Sequence, residues 1–200
     1  MPFNFKVDES YEYYLNNWYV DIMCAPAAQV SLMYSQYFIG RLAGGVLAVL
    51  PDRIGRKKSV LGGMLVSLLA QTVLLFVPNL LVRSICFFIM GVANLKNSQS
   101  YVWSSECVPF SRKAHAFTVI NVFDASPPLL TGLWYIFIGR DWFLVYAITV
   151  VMGYSALFLG FICPESPRWL LLNGRQKEAI DALNKIARWN RTDARIPTDA

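Results

Sequence analysis

Charge is scarce in this chain of 200 residues: Asp, Glu, Lys and Arg together make 16%, where about 25% is usual for a soluble domain. Such a deficit argues against a globule solvated on every side. Histidine occurs once, as His115, in a short stretch that reads as a solvated loop. The four cysteines, Cys24, Cys86, Cys107 and Cys163, lie far apart, form no Cys-x-x-Cys pair and have no histidine near them in sequence. A disulfide-stapled scaffold, a metal cluster and redox chemistry are therefore not expected. Glycine and proline, at 12 and 10 residues, are too ordinary for collagen-like or low-complexity classes. The opening stretch MPFNFKVDESYEYYLNN is polar and acidic, without the basic-then-apolar order of a cleavable signal. No activated nucleophile, catalytic carboxylate pair or phosphate-cradling loop is recognisable, so no enzyme, catalytic residue, metal or cofactor is expected.

What the chain does hold is apolar: 56% of residues, with a mean hydropathy of +0.41. These residues fall into five blocks, Gln29–Pro51, Ser59–Val77, Leu80–Ser105, Phe117–Ile138 and Trp142–Cys163. Each approaches the roughly 20 residues a helix needs to cross a bilayer. The blocks lack the ten-residue alternation of membrane β-strands. The expected fold is all-α, a polytopic bundle of five transmembrane helices. Residues 1–28 would form a polar and aromatic outer-side segment, 29–163 the bundle, and 164–200 an amphipathic inner-side tail.

Charge placement gives an orientation. Arg53, Arg56, Lys57 and Lys58 follow the first block, Arg112 and Lys113 the third, and seven basic residues lie beyond Cys163. These alternate connections share one side and hold thirteen of the eighteen basic residues. By the positive-inside rule that side is cytoplasmic, or matrix in a mitochondrial inner membrane, with the N-terminus outside. The clusters abut span ends, which suits a bilayer partner rather than a nucleic acid.

The turns on the basic side carry the most specific signals. Leu50 to Lys58 reads LPDRIGRKK, an acid, a glycine and a knot of cations at a helix end. Asp52 can pair with a cation or cap a helix, and such a pair, made in one conformation and broken in another, is a latch. Asp52-Arg53-Ile54-Gly55-Arg56-Lys57 resembles the turn between helices 2 and 3 of the major facilitator superfamily. Two departures stand in it, Ala48 in place of the usual glycine and Pro51 before the acid. Glu106-Cys107-Val108-Pro109 with Arg112-Lys113 resembles the turn after helix 4 of sugar and organic-ion porters. Pro164-Glu165-Ser166-Pro167-Arg168-Trp169-Leu170, with Asn173-Gly174-Arg175 beyond it, is similar to the segment after helix 6 of the organic cation/anion transporters. The resemblance covers about Gln29 to Asn190 and implies helices 2–6 of a first half, truncated and lacking helix 1. It also implies that Asp52, Arg53, Gly55, Arg56, Lys57, Glu106, Lys113, Glu165 and Arg168 form a conformational charge network.

Three charges fall inside the blocks. Arg41, Lys96 and Asp124 lie eleven, ten and nine residues from their inner helix ends, so at about 1.5 Å per residue their depths agree within a turn. Charges at such depth face a cavity or a partner, and Asp124 is expected to pair with Lys96 or Arg41. Whether such a pair joins helices or serves a solute is left open by the residues. Asn94, Lys96 and Gln99 give the third block a wet face, and with Arg41 and Asp124 they are the substrate or cavity candidates. Pro127-Pro128 should kink or break the fourth block.

Two functions follow. The first is transport of a small organic solute by rocking of two bundles, which requires a second transporter half. The second is a non-transporting structural or assembly role beside other membrane subunits, in the plasma membrane or an organelle.

Overall fold

The computed structural model describes residues 26–77, 79–139, 142–192 and 196–197. The expectation for the N-terminal segment falls, up to residue 25, outside these. Every regular element among the described residues is helical.

Helix α1 (Ala27–Gly45) runs through a 3-10 stretch, Val46–Val49, into the short α2 (Leu50–Ile54). The tightening has a local cause. Pro51 lacks the N–H that would reach the carbonyl of Leu47, and Leu50 donates to that carbonyl instead, three residues back. After Gly55 comes α3 (Arg56–Phe76). The Asn79 side chain accepts from the N–H groups of Leu81 and Val82, capping α4 (Leu80–Ala93). A turn at Asn94 separates α4 from α5 (Leu95–Cys107), so the third apolar block is one rod in two pieces. A 3-10 turn, Phe110–Arg112, leads to α6 (Lys113–Phe137), followed by α7 (Trp142–Ile162), α8 (Pro167–Leu172) and α9 (Gln176–Trp189). By length and composition, three helical stretches among the described residues suffice to cross a membrane: α3, α4 with α5, and α7.

Of the kink or break expected at Pro127-Pro128, the break does not occur: α6 is helical through both prolines. Ser126 explains half of this. Its hydroxyl donates at 2.9 Å to the carbonyl of Phe123, the acceptor that Pro127 leaves without a backbone donor.

Packing follows small residues. A side chain on Gly40 would meet the carbonyl of Phe88, and one on Gly44 the carbonyl of Val92. Both numbers rise by four together, so α1 and α4 run parallel with backbones in contact, as glycines spaced by four permit. On the other flank, Leu61 and Leu68 of α3 seat against Gly160 and Gly153 of α7. Those numbers run in opposite directions, which makes α3 and α7 antiparallel, and Leu157, Met64 and Tyr154 fill the seam. Helix α6 packs chiefly along α5 and has no fully buried residue. Large apolar side chains such as Phe38, Leu42, Phe123 and Phe158 face outward, the surface a lipid environment accepts.

Candidate functional site

The α2–α3 turn, the end of α5 and the segment between α7 and α8 gather at the basic end of the bundle. Their polar groups close a circuit. The Arg56 guanidinium places one NH2 group 2.7 Å from Asp52, one turn earlier, and donates from the other to Gln99 Oε1 at 3.3 Å. Its Nε lies 3.7 Å from Glu106, an ion pair beyond hydrogen-bond length. Glu106 Oε2 accepts from the Ser166 hydroxyl at 2.5 Å. The Ser166 oxygen accepts in turn from the N–H of Trp169 at 3.1 Å, capping α8. The Trp169 indole then donates at 2.8 Å to the backbone carbonyl of Asp52, where the circuit began.

A second clasp lies beside it. Glu165 Oε1 accepts from the backbone N–H of Lys57 at 2.8 Å and from that of Ser166 at 3.0 Å. The carboxylate fits there because Gly55 has no side chain: a Cβ would lie 2.6 Å from Glu165 Oε2. Gly55 also holds φ 109° and ψ 149°, a region essentially reserved for glycine. The Lys57 ammonium donates to the carbonyls of Phe161 and Cys163, and Lys185 to that of Ile162. Phe161 and Ile162 supply terminal acceptors of α7, which lack intrahelical donors and carry the negative end of the helix dipole, and Cys163 directly follows them.

Of the nine residues expected in the charge network, the structure brings six together: Asp52, Gly55, Arg56, Lys57, Glu106 and Glu165. Arg53 is exposed on α2. Lys113 lies beyond the Pro109 turn and over the ring of Phe110, 5.9 Å from its centroid. Arg168 is exposed on α8, whose buried side is occupied by Trp169 and Leu170.

The five cavity candidates do not converge. Gln99 and Lys96 share the face of α5 turned to α3, the first against Arg56 and the second with its Cβ beside Gly63. Asn94 donates to the Tyr37 hydroxyl of α1 at 2.8 Å. Asp124 accepts from the Tyr101 hydroxyl at 3.3 Å. The side chain of Arg41 is exposed, although its backbone lies at the α1–α4 crossing. The expected ion pair is therefore corrected: among the described residues Asp124 pairs with neither Lys96 nor Arg41. Equal depth does not bring side chains together when they leave their helices in different directions.

Three contributors escaped the sequence reading. Ser166 and Trp169 stood within the segment after the last apolar block without a role of their own, and Trp103 was legible only as an apolar residue. Trp103 donates at 3.2 Å to the carbonyl of Pro164 and so ties α5 to the segment before α8. A tryptophan four residues before a motif cysteine is the one signal that marked it.

Comparison with known proteins places this arrangement. The model of the Major Facilitator Superfamily matches residues 12–191. Organic cation/carnitine transporter 5 of Arabidopsis thaliana is 30% identical over 176 residues, 86% of this chain and 34% of that protein. Solute carrier family 22 member 15 of Xenopus tropicalis is 30% identical over 186 residues, 92% of this chain and 34% of that protein. The chain thus spans about a third of the length of these curated relatives. The xylose transporter XylE of E. coli, in a partially occluded inward-open conformation, has the same fold. It aligns with a TM-score of 0.64 and 19% identity, over 89% of this chain and 49% of that one. The chain belongs to the major facilitator superfamily of membrane transporters and is similar to its organic cation/carnitine members.

Proposed function

We propose that this chain supplies the latching part of one bundle of an organic-ion transporter. It crosses the bilayer five times, through α1 with α2, α3, α4 with α5, α6, and α7, matching the family's second to sixth helices. Its N-terminus lies outside and its basic end inside, in keeping with the charge bias of the connections. A second transporter half or other membrane subunits complete the particle. The solute is a small organic cation or a zwitterion such as carnitine, the class named for the relatives.

The closed circuit through Asp52, Arg56, Glu106, Ser166 and Trp169 carries this reading. It joins three helix ends that bilayer packing alone would leave free to slide. The side chains of Arg56 and Glu106 are only 18% and 9% exposed, so breaking their pairing strands desolvated charge. The bundle end therefore moves as one body, the behaviour that rocking requires. The Asp52 side chain is 61% exposed and keeps a free edge for a partner bundle. At membrane depth, Arg41 and Asp124 are left facing outward, as expected of groups that a second bundle covers or a solute neutralises.

One observation favours the second reading, a structural subunit without transport. Helix α6 has no fully buried residue, and it presents Val122, Phe123, Leu130 and Ile136 as surface for another membrane protein. The deciding experiment isolates the tagged chain from its native membrane in mild detergent, weighs the particle, and reconstitutes it for uptake of radiolabelled carnitine and tetraethylammonium. Saturable uptake of either by a two-bundle particle is the expected result. A fixed set of unrelated subunits with no uptake would overturn it in favour of the structural role.

A further inference from the structure

Cys107 closes α5 and Cys163 follows α7, far apart in sequence, yet both line one cavity of about 650 Å³. Both thiols are free and half-buried. Two hydrogen bonds hold their segments side by side. Trp103, one turn before Cys107 and on the same face of α5, donates at 3.2 Å to the carbonyl of Pro164, which directly follows Cys163. Glu106, directly before Cys107, accepts at 2.5 Å from Ser166, three residues past Cys163. Cys86 is placed quite differently, buried against Ala70 and Leu74.

We propose that Cys107 and Cys163 form an oxidisable dithiol site that takes a hydroperoxide as its oxidant and closes to an intrachain disulfide. The cavity admits a small oxidant, and Arg112 and Asn190 on its wall offer donors to a peroxide oxygen. One thiolate attacks that oxygen. The O–O bond breaks, the departing hydroxide takes up a proton as water, and the sulfur becomes a sulfenic acid. The second thiolate attacks this sulfur. The S–O bond breaks, the S–S bond forms, and a second water leaves. In sum, two thiols and one hydrogen peroxide give one disulfide and two waters.

A disulfide needs the two Cα atoms within about 7 Å. Pinning at Pro164 and Ser166 brings the segments together, and Cys163 lies in a bend outside any helix, where the backbone can adjust. The bond would staple α5 to the α7–α8 segment beside the Glu106–Ser166 contact. Its effect on transport rests on the latch described above, whereas its formation does not. On a reducing side of a membrane such a bond is transient, the behaviour of a sensor rather than a structural staple.

The test uses the purified full chain in lipid nanodiscs, with no solute present, so that its failure is distinct from a failure of the transport reading. Hydrogen peroxide is added, free thiols are capped with N-ethylmaleimide, and the unreduced digest is read by mass spectrometry. The expected result is a linked peptide pair containing Cys107 and Cys163, the loss of both of their thiols to capping, and full recovery with dithiothreitol. Cys107→Ser and Cys163→Ser each abolish the link and leave a sulfenic acid that dimedone traps on the remaining thiol, while Cys86→Ser leaves the link unchanged. Independent oxidation of the two wild-type thiols to sulfinic acids would overturn the proposal. So would complete capping of both, or a link between two chains.

Discussion

At the basic end of the bundle Arg56 reaches Asp52, Gln99 and Glu106 at once, whereas farther along α1 and midway along α6 Arg41 and Asp124 turn outward without an ionic partner among the described residues. Both regions contain charges at apolar helix boundaries or depths where they are costly. They differ in how many elements converge on each charge. Three segments meet at the basic end, and each supplies a group whose partner lies on another. Away from that end, the charged side chains of Arg41 and Asp124 leave their helices on separate faces. A charge satisfied within the chain positions helices, and one left outward is available to something outside the chain. Perturbing the first kind should therefore change stability, and perturbing the second kind should change function at nearly constant stability.

The largest effect is expected at Gly55. Alanine there must adopt φ 109° and place its Cβ 2.6 Å from Glu165 Oε2, so Gly55→Ala costs about 3 kcal/mol through backbone strain and displacement of the carboxylate. Thermal unfolding of the detergent-solubilised protein should show the loss, together with faster proteolysis between α7 and α8. An unchanged midpoint would mean that the basic end is no more tightly organised than the middle.

Glu165 gives an intermediate and more diagnostic result. Glu165→Ala leaves the N–H groups of Lys57 and Ser166 without their acceptor, and a loss of about 2 kcal/mol is expected. Glu165→Gln keeps an oxygen acceptor at the same reach and should lose only about half as much, since a neutral acceptor is weaker than a charged one. Equal losses in the two variants would show that charge alone holds the clasp and that acceptor geometry is irrelevant.

The two regions were also unequally legible in the sequence. Asp52 and Arg56 stood out as an acid among cations at a helix end, whereas Glu106 and Glu165 were marked only by the resemblance of their turns to those of the major facilitator superfamily. Ser166 and Trp169 lay in the segment after the last apolar block, but their bonds to Glu106 and to the Asp52 carbonyl come from uncharged donors 60 or more positions away, which charge pattern does not mark. Gln99 was read as part of a wet cavity wall because hydropathy counts polar residues without their direction. The directions differ: Lys96 and Gln99 of α5 turn to α3, and Asn94, in the turn before it, meets α1. The break expected at Pro127-Pro128 is offset in part by one neighbouring hydroxyl, that of Ser126, a compensation that proline counting does not register. Depth along a helix is readable from residue number, whereas rotation about a helix relative to its neighbours depends on packing.

Rotation also sets the smallest expected effect. The Arg41 and Asp124 side chains are exposed, and the Asp124 carboxylate accepts from Tyr101 at 3.3 Å, a bond that asparagine can still accept. Arg41→Gln and Asp124→Asn should each shift unfolding by no more than about 0.5 kcal/mol, the range of surface substitutions without buried partners. Their consequence should instead be seen in the complete particle. Loss of saturable organic-cation uptake with assembly intact would mark the charge as facing a solute, and loss of assembly would mark it as facing another bundle. A large destabilisation of the isolated chain by either variant would erase the contrast between the two regions, because it would show that mid-depth charge holds these helices together after all.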